Sequence, residues 1–329
     1  MRKKKRAFMQ KKSLPPLSGM TRRRMRFIYI FGFLFSLMQD LLLTGFNDYA
    51  LIDSGRGEKL ERFGRFVLRR PEPQAVWERA MPEEEWMRAA HASFRRDARG
   101  DAERGSWQLR PGMPEQWQIG YAYKDMHLRF RLGLTSFKHV GIFPEQAVNW
   151  NYIYDEVVCR TKEDSRRPEV LNLFAYTGGA SLAARAAGAQ VTHVDAVRQV
   201  IAWSRENMEA THLSDIRWVV EDAVKFVRRE VKRGHRYQGV ILDPPAYGRG
   251  PAGEKWVLEA GILDMMQACG ALLDERAFCV LNLYSMGFSP MIAANLLQPL
   301  CTALQCGTLF VRDSTGRSLP LGVYARGSR

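Results

Sequence analysis

The sequence has no run of about 20 apolar residues, the length a helix needs to cross a bilayer. The uncharged stretch from Phe27 to Met38 is twelve residues long and is followed by Gln39 and Asp40, which argues against a membrane span. No small-x-small pattern follows it either, although a secretory signal would need one for cleavage. Cysteine is scarce: Cys159, Cys269, Cys279, Cys301 and Cys306 are odd in number, with no C-x-x-C pair and no Cys/His ligand spacing. These absences exclude a disulfide framework and a zinc site of the usual pattern. They point to reduced, mostly core thiols in a cytoplasmic protein. Internal repeats and low-complexity tracts are absent as well.

Acidic residues are missing from residues 1 to 26, which carry eleven Lys and Arg. The net charge of +14 therefore belongs mostly to this leader, because the remainder sets 38 basic residues against 35 acidic ones. A strongly basic chain invites a nucleic-acid reading, but the location of the charge matters more than its size. We expect residues 1–37 to be an over-extended reading frame, with Met38 as the initiator. The remaining length accommodates one large domain or two modest ones, and the pattern divides it into 38–150 and 151–329.

Tyr49 to Leu68 alternates apolar runs with glycines at 55, 57 and 64, as short strands do. The charged stretch from Gln74 to about Ala98 predicts a helix, and Arg99 to Gly105 a loop. Trp107, Trp117, Tyr121, Tyr123 and Phe130 lie on partly alternating runs that predict strands with core aromatics. In the segment 135–151, Pro144 and Glu145 suit the first turn of a helix. That helix reads either as a capped connector between domains or as a seam from which Phe143, Glu145 and Gln146 face a cleft.

The stretch from Val170 to Asp195 organises the rest. A strand interrupted only by Asn172 runs into Tyr176-Thr177-Gly178-Gly179, then an Ala-rich helix, Gly188, a second strand from Val191 to Val194, and Asp195. This is a nucleotide-type βαβ half: glycine lets the backbone approach a ligand, a helix N-terminus offers free N–H donors, and an acid ending the second strand accepts ribose hydroxyls. The turn lacks the G-x-G-x-x-G spacing of dinucleotide folds. The rhythm continues with a strand Ile216–Val220 ending at Glu221 and Asp222, and then a helix bearing Lys225, Arg228, Arg229, Lys232 and Arg233. That basic face reads as a solvated helix surface or as a phosphate track. A strand from Tyr237 to Leu242 then enters Asp243-Pro244-Pro245-Ala246-Tyr247. The two prolines rigidify a backbone whose carbonyls, with the Asp243 carboxylate, can accept hydrogen bonds from an amino group, while Tyr247 offers a stacking face. Beyond the glycines at 248, 250 and 253, a helix is expected from about Lys255 to Leu273, a strand from Phe278 to Leu283, and a closing hairpin around Ser314-Thr315-Gly316.

The run LNLFAYTGGASLAA, the acids Asp195 and Asp222, and the segment DPPAYGRGPAGEKW together resemble the class I S-adenosylmethionine-dependent methyltransferases. Within them they look like the branch of bacterial large-subunit ribosomal RNA methyltransferases of the RlmI and RlmK type. The likeness extends to DYALIDSGRGEKLERFG, GIFPEQ and GRSLPLGVYAR, and so to nearly everything after residue 46. It implies an α/β fold with a Rossmann-like class I methyltransferase sheet and a smaller N-terminal β-rich α+β domain. It also implies S-adenosyl-L-methionine as cofactor, with Phe174, Ala175, Tyr176, Thr177 and Gly178 around its methionine part. Asp195 would take its ribose, Asp222 with Ala223 its adenine, and Gln146 would approach from the seam. Asp243, Pro244, Pro245 and Tyr247 would form the acceptor site, and RNA, most plausibly ribosomal, would be the partner, with no metal and no membrane. Two features depart from the branch. Leu281-Asn282-Leu283-Tyr284-Ser285 lacks the cysteine that carbon-5 methylation needs as nucleophile, and no separate RNA-binding module is recognisable. Methylation of a protein or small molecule, or an inactive cofactor-binding module in ribosome assembly, are the competing readings.

Overall fold

Strands that are apolar on both faces must be covered on both faces, and the centre of this protein is built from such strands. The computed structural model describes residues 38–97, 103–164, 166–284 and 287–329; the expected leader, 1–37, lies outside them. After a short strand β1 (Leu41–Leu42), three strands follow in the Gly-punctuated region: β2 (Tyr49–Gly55), β3 (Glu58–Phe63) and β4 (Phe66–Pro71). They pair in sequence as an antiparallel meander, extended by β5 (Ala92–Arg96) and β6 (Gly105–Leu109) into a five-stranded sheet. The hairpin β7 (Gln116–Tyr123) and β8 (Met126–Gly133) follows.

The long helix expected from Gln74 to Ala98 shrinks to α1 (Glu83–Ala89). The segment before it is instead pinned as loop by the buried Asp53, whose carboxylate accepts the backbone N–H groups of Ala80 (3.2 Å) and Met81 (2.9 Å) and the Trp86 indole N–H (2.7 Å). The far end becomes β5. A contact across 27 residues overrides the local charge pattern.

A 3₁₀ turn at Pro144–Gln146 leads into α2 (Ala147–Glu163), so the expected domain boundary at 150/151 falls inside a helix. Then come β9 (Glu169–Leu173), α3 (Gly179–Ala186), β10 (Gln190–Asp195), α4 (Arg198–Ala210), β11 (Ile216–Val220), α5 (Ala223–Arg233) and β12 (Tyr237–Leu242). The ribbon β13 (Tyr247–Arg249) and β14 (Lys255–Val257) precedes α6 (Leu258–Gly270), which starts three residues later than expected. The chain ends with β15 (Leu273–Leu283), α7 (Pro290–Leu297), β16 (Ala303–Arg312) and β17 (Ser318–Ser328), the last two forming the expected hairpin.

The large sheet has the order β1-β16-β17-β15-β12-β9-β10-β11. Strands β11, β10, β9, β12 and β15 run parallel, while β17 is antiparallel to both of its neighbours. The order reverses between β9 and β12, and in open α/β sheets ligands bind beyond the carboxyl ends of strands at that switch point. One continuous apolar core joins the two sheets: Phe46, Tyr49 and Phe130 belong to the same cluster as Trp150, Leu182, Val191 and Val280. Among the described residues no helix is long and apolar enough to cross a membrane, and no group of three or more His, Cys, Asp or Glu is placed to hold a metal ion.

Candidate active site

The loop leaving β9 is shaped by residues in unusual backbone conformations. Phe174 (φ 54°) and Tyr176 (φ 48°) adopt positive φ although neither is glycine, and Gly178 (φ 92°) precedes α3. Such conformations in non-glycine residues cost of order 1 to 3 kcal/mol each and persist where the surroundings over-determine them. Here three side chains do so. The Asp195 carboxylate accepts the backbone N–H of Tyr176 and that of Val197, both at 2.9 Å. The Ser204 hydroxyl donates to the Tyr176 carbonyl (2.7 Å), and the Asn207 amide to the Thr177 carbonyl (3.0 Å). Thr177 in turn donates to the Gly141 carbonyl (2.7 Å), fastening the loop to the seam. A side chain on Gly179 would collide with Trp150, because a Cβ there would lie 2.5 Å from its ring.

Beneath the loop, Asn172 donates to Ser181 (2.9 Å), which contacts His193 Nδ1 (3.0 Å). Burial pushes the His193 pKa down to about 3, so the ring is neutral and acts as packing under the loop.

The cavity at the switch point is lined by Phe174 to Gly179, by Ile142, Phe143, Gln146 and Trp150 from the seam, and by Asn172, Asp243 and Asn282 at the strand ends. Of the three residues that the seam reading of 135–151 turns toward a cleft, Phe143 and Gln146 line this cavity and Glu145 does not. Gln146 donates to the Tyr284 hydroxyl (2.7 Å) and accepts from Asn149 (3.1 Å), and Asn149 also donates to Asn282 (2.9 Å). This chain fixes the cavity floor. Sequence pattern does not single out Asn282, Tyr284, Asn149 or Trp150 for the site; Asn172 and Asn282, each a lone amide between leucines near the end of its strand, are the available signal.

Asp243 follows β12 directly, and no hydrogen bond among the described residues ends on its carboxylate. Burial first, and then the neighbouring Glu145 carboxylate, raise its pKa to about 7. Glu145, itself 4% exposed, is raised in the same direction by burial. Pro244 and Pro245 continue the loop. The Pro245 carbonyl is occupied by the Trp256 indole N–H (2.7 Å), whose ring lies 5.1 Å from that of Phe174. Tyr247 is 53% exposed and stands outside the cavity lining. Asp195 adjoins the cavity through its bond to Tyr176. Asp222 and the buried Ala223 sit at the end of the next strand, where Asp222 also caps α5 by accepting the Lys225 N–H (2.9 Å).

Of the basic face of α5, Lys225 is paired with Glu254, Arg229 with Glu221 and Arg233 with Glu230. None of the five cysteines lines the cavity. Cys269 is pushed up to about 12 and Cys279 well above the usual thiol range, both by burial, so neither supplies a thiolate.

The residues around the cavity suit a phosphate-free, cationic nucleoside better than a dinucleotide. No Lys or Arg lines the cavity, Asp243 lines it, and Asp195 stands beside it. A pyrophosphate would find no cation in this lining, whereas a nucleoside without phosphates needs none.

Comparison with known proteins agrees with this geometry. Residues 88–264 match the family model for S-adenosylmethionine-dependent methyltransferases. The chain is similar to the crystal structure of the SAM-dependent methyltransferase from Agrobacterium tumefaciens, at 36% identity and a TM-score of 0.80 over 88% of this chain and 93% of that one. SMU.776, whose crystal structure is a complex with SAH, shares the fold at 17% identity and a TM-score of 0.63, over 93% of this chain and 78% of its own. The ribosomal RNA large subunit methyltransferase K/L of Shewanella frigidimarina is 28% identical over 45% of this chain. The chain spans about a fifth of the length of that curated relative.

Proposed function

The chain belongs to the family of S-adenosylmethionine-dependent methyltransferases, and from that membership we propose that it methylates a nitrogen on a base of ribosomal RNA. The observation that carries the reading is Asp243, a carboxylate without a hydrogen-bond partner among the described residues, set in the lining of the switch-point cavity. The similarity to a ribosomal RNA methyltransferase supports the substrate class, and the absence of a cysteine from the cavity favours nitrogen over a covalent carbon-5 route.

S-adenosylmethionine, when bound, supplies a methyl group on a sulfonium that leaves without acid assistance. The work left to the protein is positioning. Phe174 to Gly178 hold the methionine part, Asp195 the ribose, Asp222 and Ala223 the adenine, and Gln146 closes the seam side. Asp243 and the Pro244 carbonyl accept the N–H groups of the acceptor amine, orient its lone pair and ease its developing positive charge. In the carboxylate form Asp243 is also the group to which the surplus proton goes. Reaching a base in a duplex requires flipping it out of the stack.

The test is incubation of the protein with methyl-labelled S-adenosylmethionine and total RNA from a strain lacking it. Label in ribosomal RNA, on a nitrogen after nuclease digestion, is the expected result. Label in protein or in small molecules alone would sink the substrate assignment, and label on carbon would sink the acceptor assignment.

A further inference from the structure

Beyond Asp243 and its prolines, the chain turns back on itself as the ribbon β13–β14, with Tyr247 opposite Val257, Gly248 opposite Trp256 and Arg249 opposite Lys255. Alternate residues of a strand share a face. Gly248 and Trp256 point inward, and Tyr247, Arg249, Lys255 and Val257 are exposed on the other face. The inward face is firmly seated. Trp256 is 5% exposed, donates to the Pro245 carbonyl and packs on Gly261 of α6, where a Cβ would come 2.7 Å from its ring. The outer face is thus presented on a fixed base, next to the acceptor loop.

Its charges are uncommitted. The acid of the ribbon turn, Glu254, is taken by Lys225. Among the described residues Arg249 and Lys255 have no ion pair, nor has Arg228, which lines the groove between α5 and α6 together with Lys255, Val257 and Asp264. Two unpaired cations, Arg249 and Lys255, thus share the ribbon face with an exposed aromatic ring, and Arg228 continues the positive charge along the adjoining groove, where Asp264 is the one acid. A ring flanked by unpaired cations matches single-stranded nucleic acid, whose bases stack on aromatic faces while phosphates meet Lys and Arg.

We propose that the outer face of β13–β14, continued by Arg228, is the docking surface for the single-stranded RNA flanking the acceptor base. Tyr247 stacks a neighbouring base, and Arg249, Lys255 and Arg228 meet successive phosphates. This rests on RNA being the substrate.

Binding of an unstructured mixed-sequence RNA 12-mer, followed by fluorescence anisotropy between 50 and 300 mM salt, tests it. S-adenosylhomocysteine affinity serves as the check that each variant is folded. With about 0.7 counterions released per phosphate contact on a single strand, the Arg249→Ala/Lys255→Ala double variant loses about tenfold or more in affinity and flattens the salt slope by about 1.4. Tyr247→Ala weakens binding by roughly five- to a hundredfold and leaves the slope unchanged. If the wild-type protein binds RNA with steep salt dependence and all variants behave like it, the ribbon assignment is wrong while the RNA reading stands. If the wild-type protein does not bind RNA, both fall. If poly-glutamate displaces the RNA as well as unlabelled RNA of equal charge does, the surface reads acidic charge alone, as for a protein partner, and the proposal is overturned.

Discussion

Asp243 occupies an environment that costs the folded chain stability and fits it for proton acceptance. Its pKa, raised to about 7 by burial and by Glu145, places the switch between a neutral acid and an accepting carboxylate near neutral pH. If the carboxylate is the working form, the rate of methyl transfer rises as pH climbs through about 7 and levels off above it. Glu145→Gln removes the neighbouring negative charge, so the rising limb moves to lower pH; rate profiles of the two proteins check this. The sign for stability is the reverse. A group whose folded pKa lies above its unfolded value of 3.8 favours the folded state at low pH and loses that contribution as pH rises toward 7. Asp243→Asn therefore gains stability relative to the wild type between about pH 4 and pH 8, by about 1 kcal/mol or more, as denaturant melts at the two pH values will read.

At the scale of elements, the β9 loop and the β13–β14 ribbon behave differently toward sequence reading. The loop is legible because its parts are local: an apolar strand, a Thr-Gly-Gly turn, a helix, and an acid at the end of the next strand. Asp195 gains a duty that spacing alone does not reveal, holding the Tyr176 and Val197 N–H groups. Asp195→Ala strands both donors, and at about 1 to 3 kcal/mol for a buried unpaired group it is expected to weaken S-adenosylhomocysteine binding by roughly ten- to a hundredfold in calorimetry, since the loop that lines the cavity loses its anchor. The ribbon reads from sequence as a glycine loop feeding a helix, because strands of three residues carry too little alternation to register. What makes it a ribbon is Trp256 reaching Pro245 and Phe174, contacts that no local pattern encodes. The same holds for Gln74 to Ala98, where the distant Asp53 carboxylate claims the backbone donors that a longer helix would have used.

Across the whole molecule, the succession of parallel strands and helices follows from the rhythm of the sequence after residue 169, whereas the strand order and the seam do not. Helix α2 crosses the expected boundary, and its Trp150 packs against Phe130 of β8 (5.2 Å between centroids) while bordering Gly179 at the start of α3. Further ties run from β8 to α4, where Asn207 accepts the Arg131 N–H and Thr211 that of Arg129. Sequence pattern separates regions by composition, but a shared core is a matter of which faces meet. With a core continuous across both sheets, calorimetry of the full chain should give one unfolding transition with equal calorimetric and van't Hoff enthalpies; two separated transitions would mean the regions fold independently.

On the proposed reading, the cavity has a cofactor side built on the β9 loop and an acceptor side built on Asp243. The most direct test measures S-adenosylmethionine affinity and single-turnover methyl transfer together in Asp243→Ala and Gly178→Val. Asp243→Ala is expected to keep cofactor affinity within a few fold while transfer is abolished. Gly178→Val, which puts a branched side chain at φ 92° where L residues are strained, is expected to abolish cofactor binding. Asp243→Ala that fails to bind cofactor, or that binds it and transfers methyl at the wild-type rate, would contradict the division.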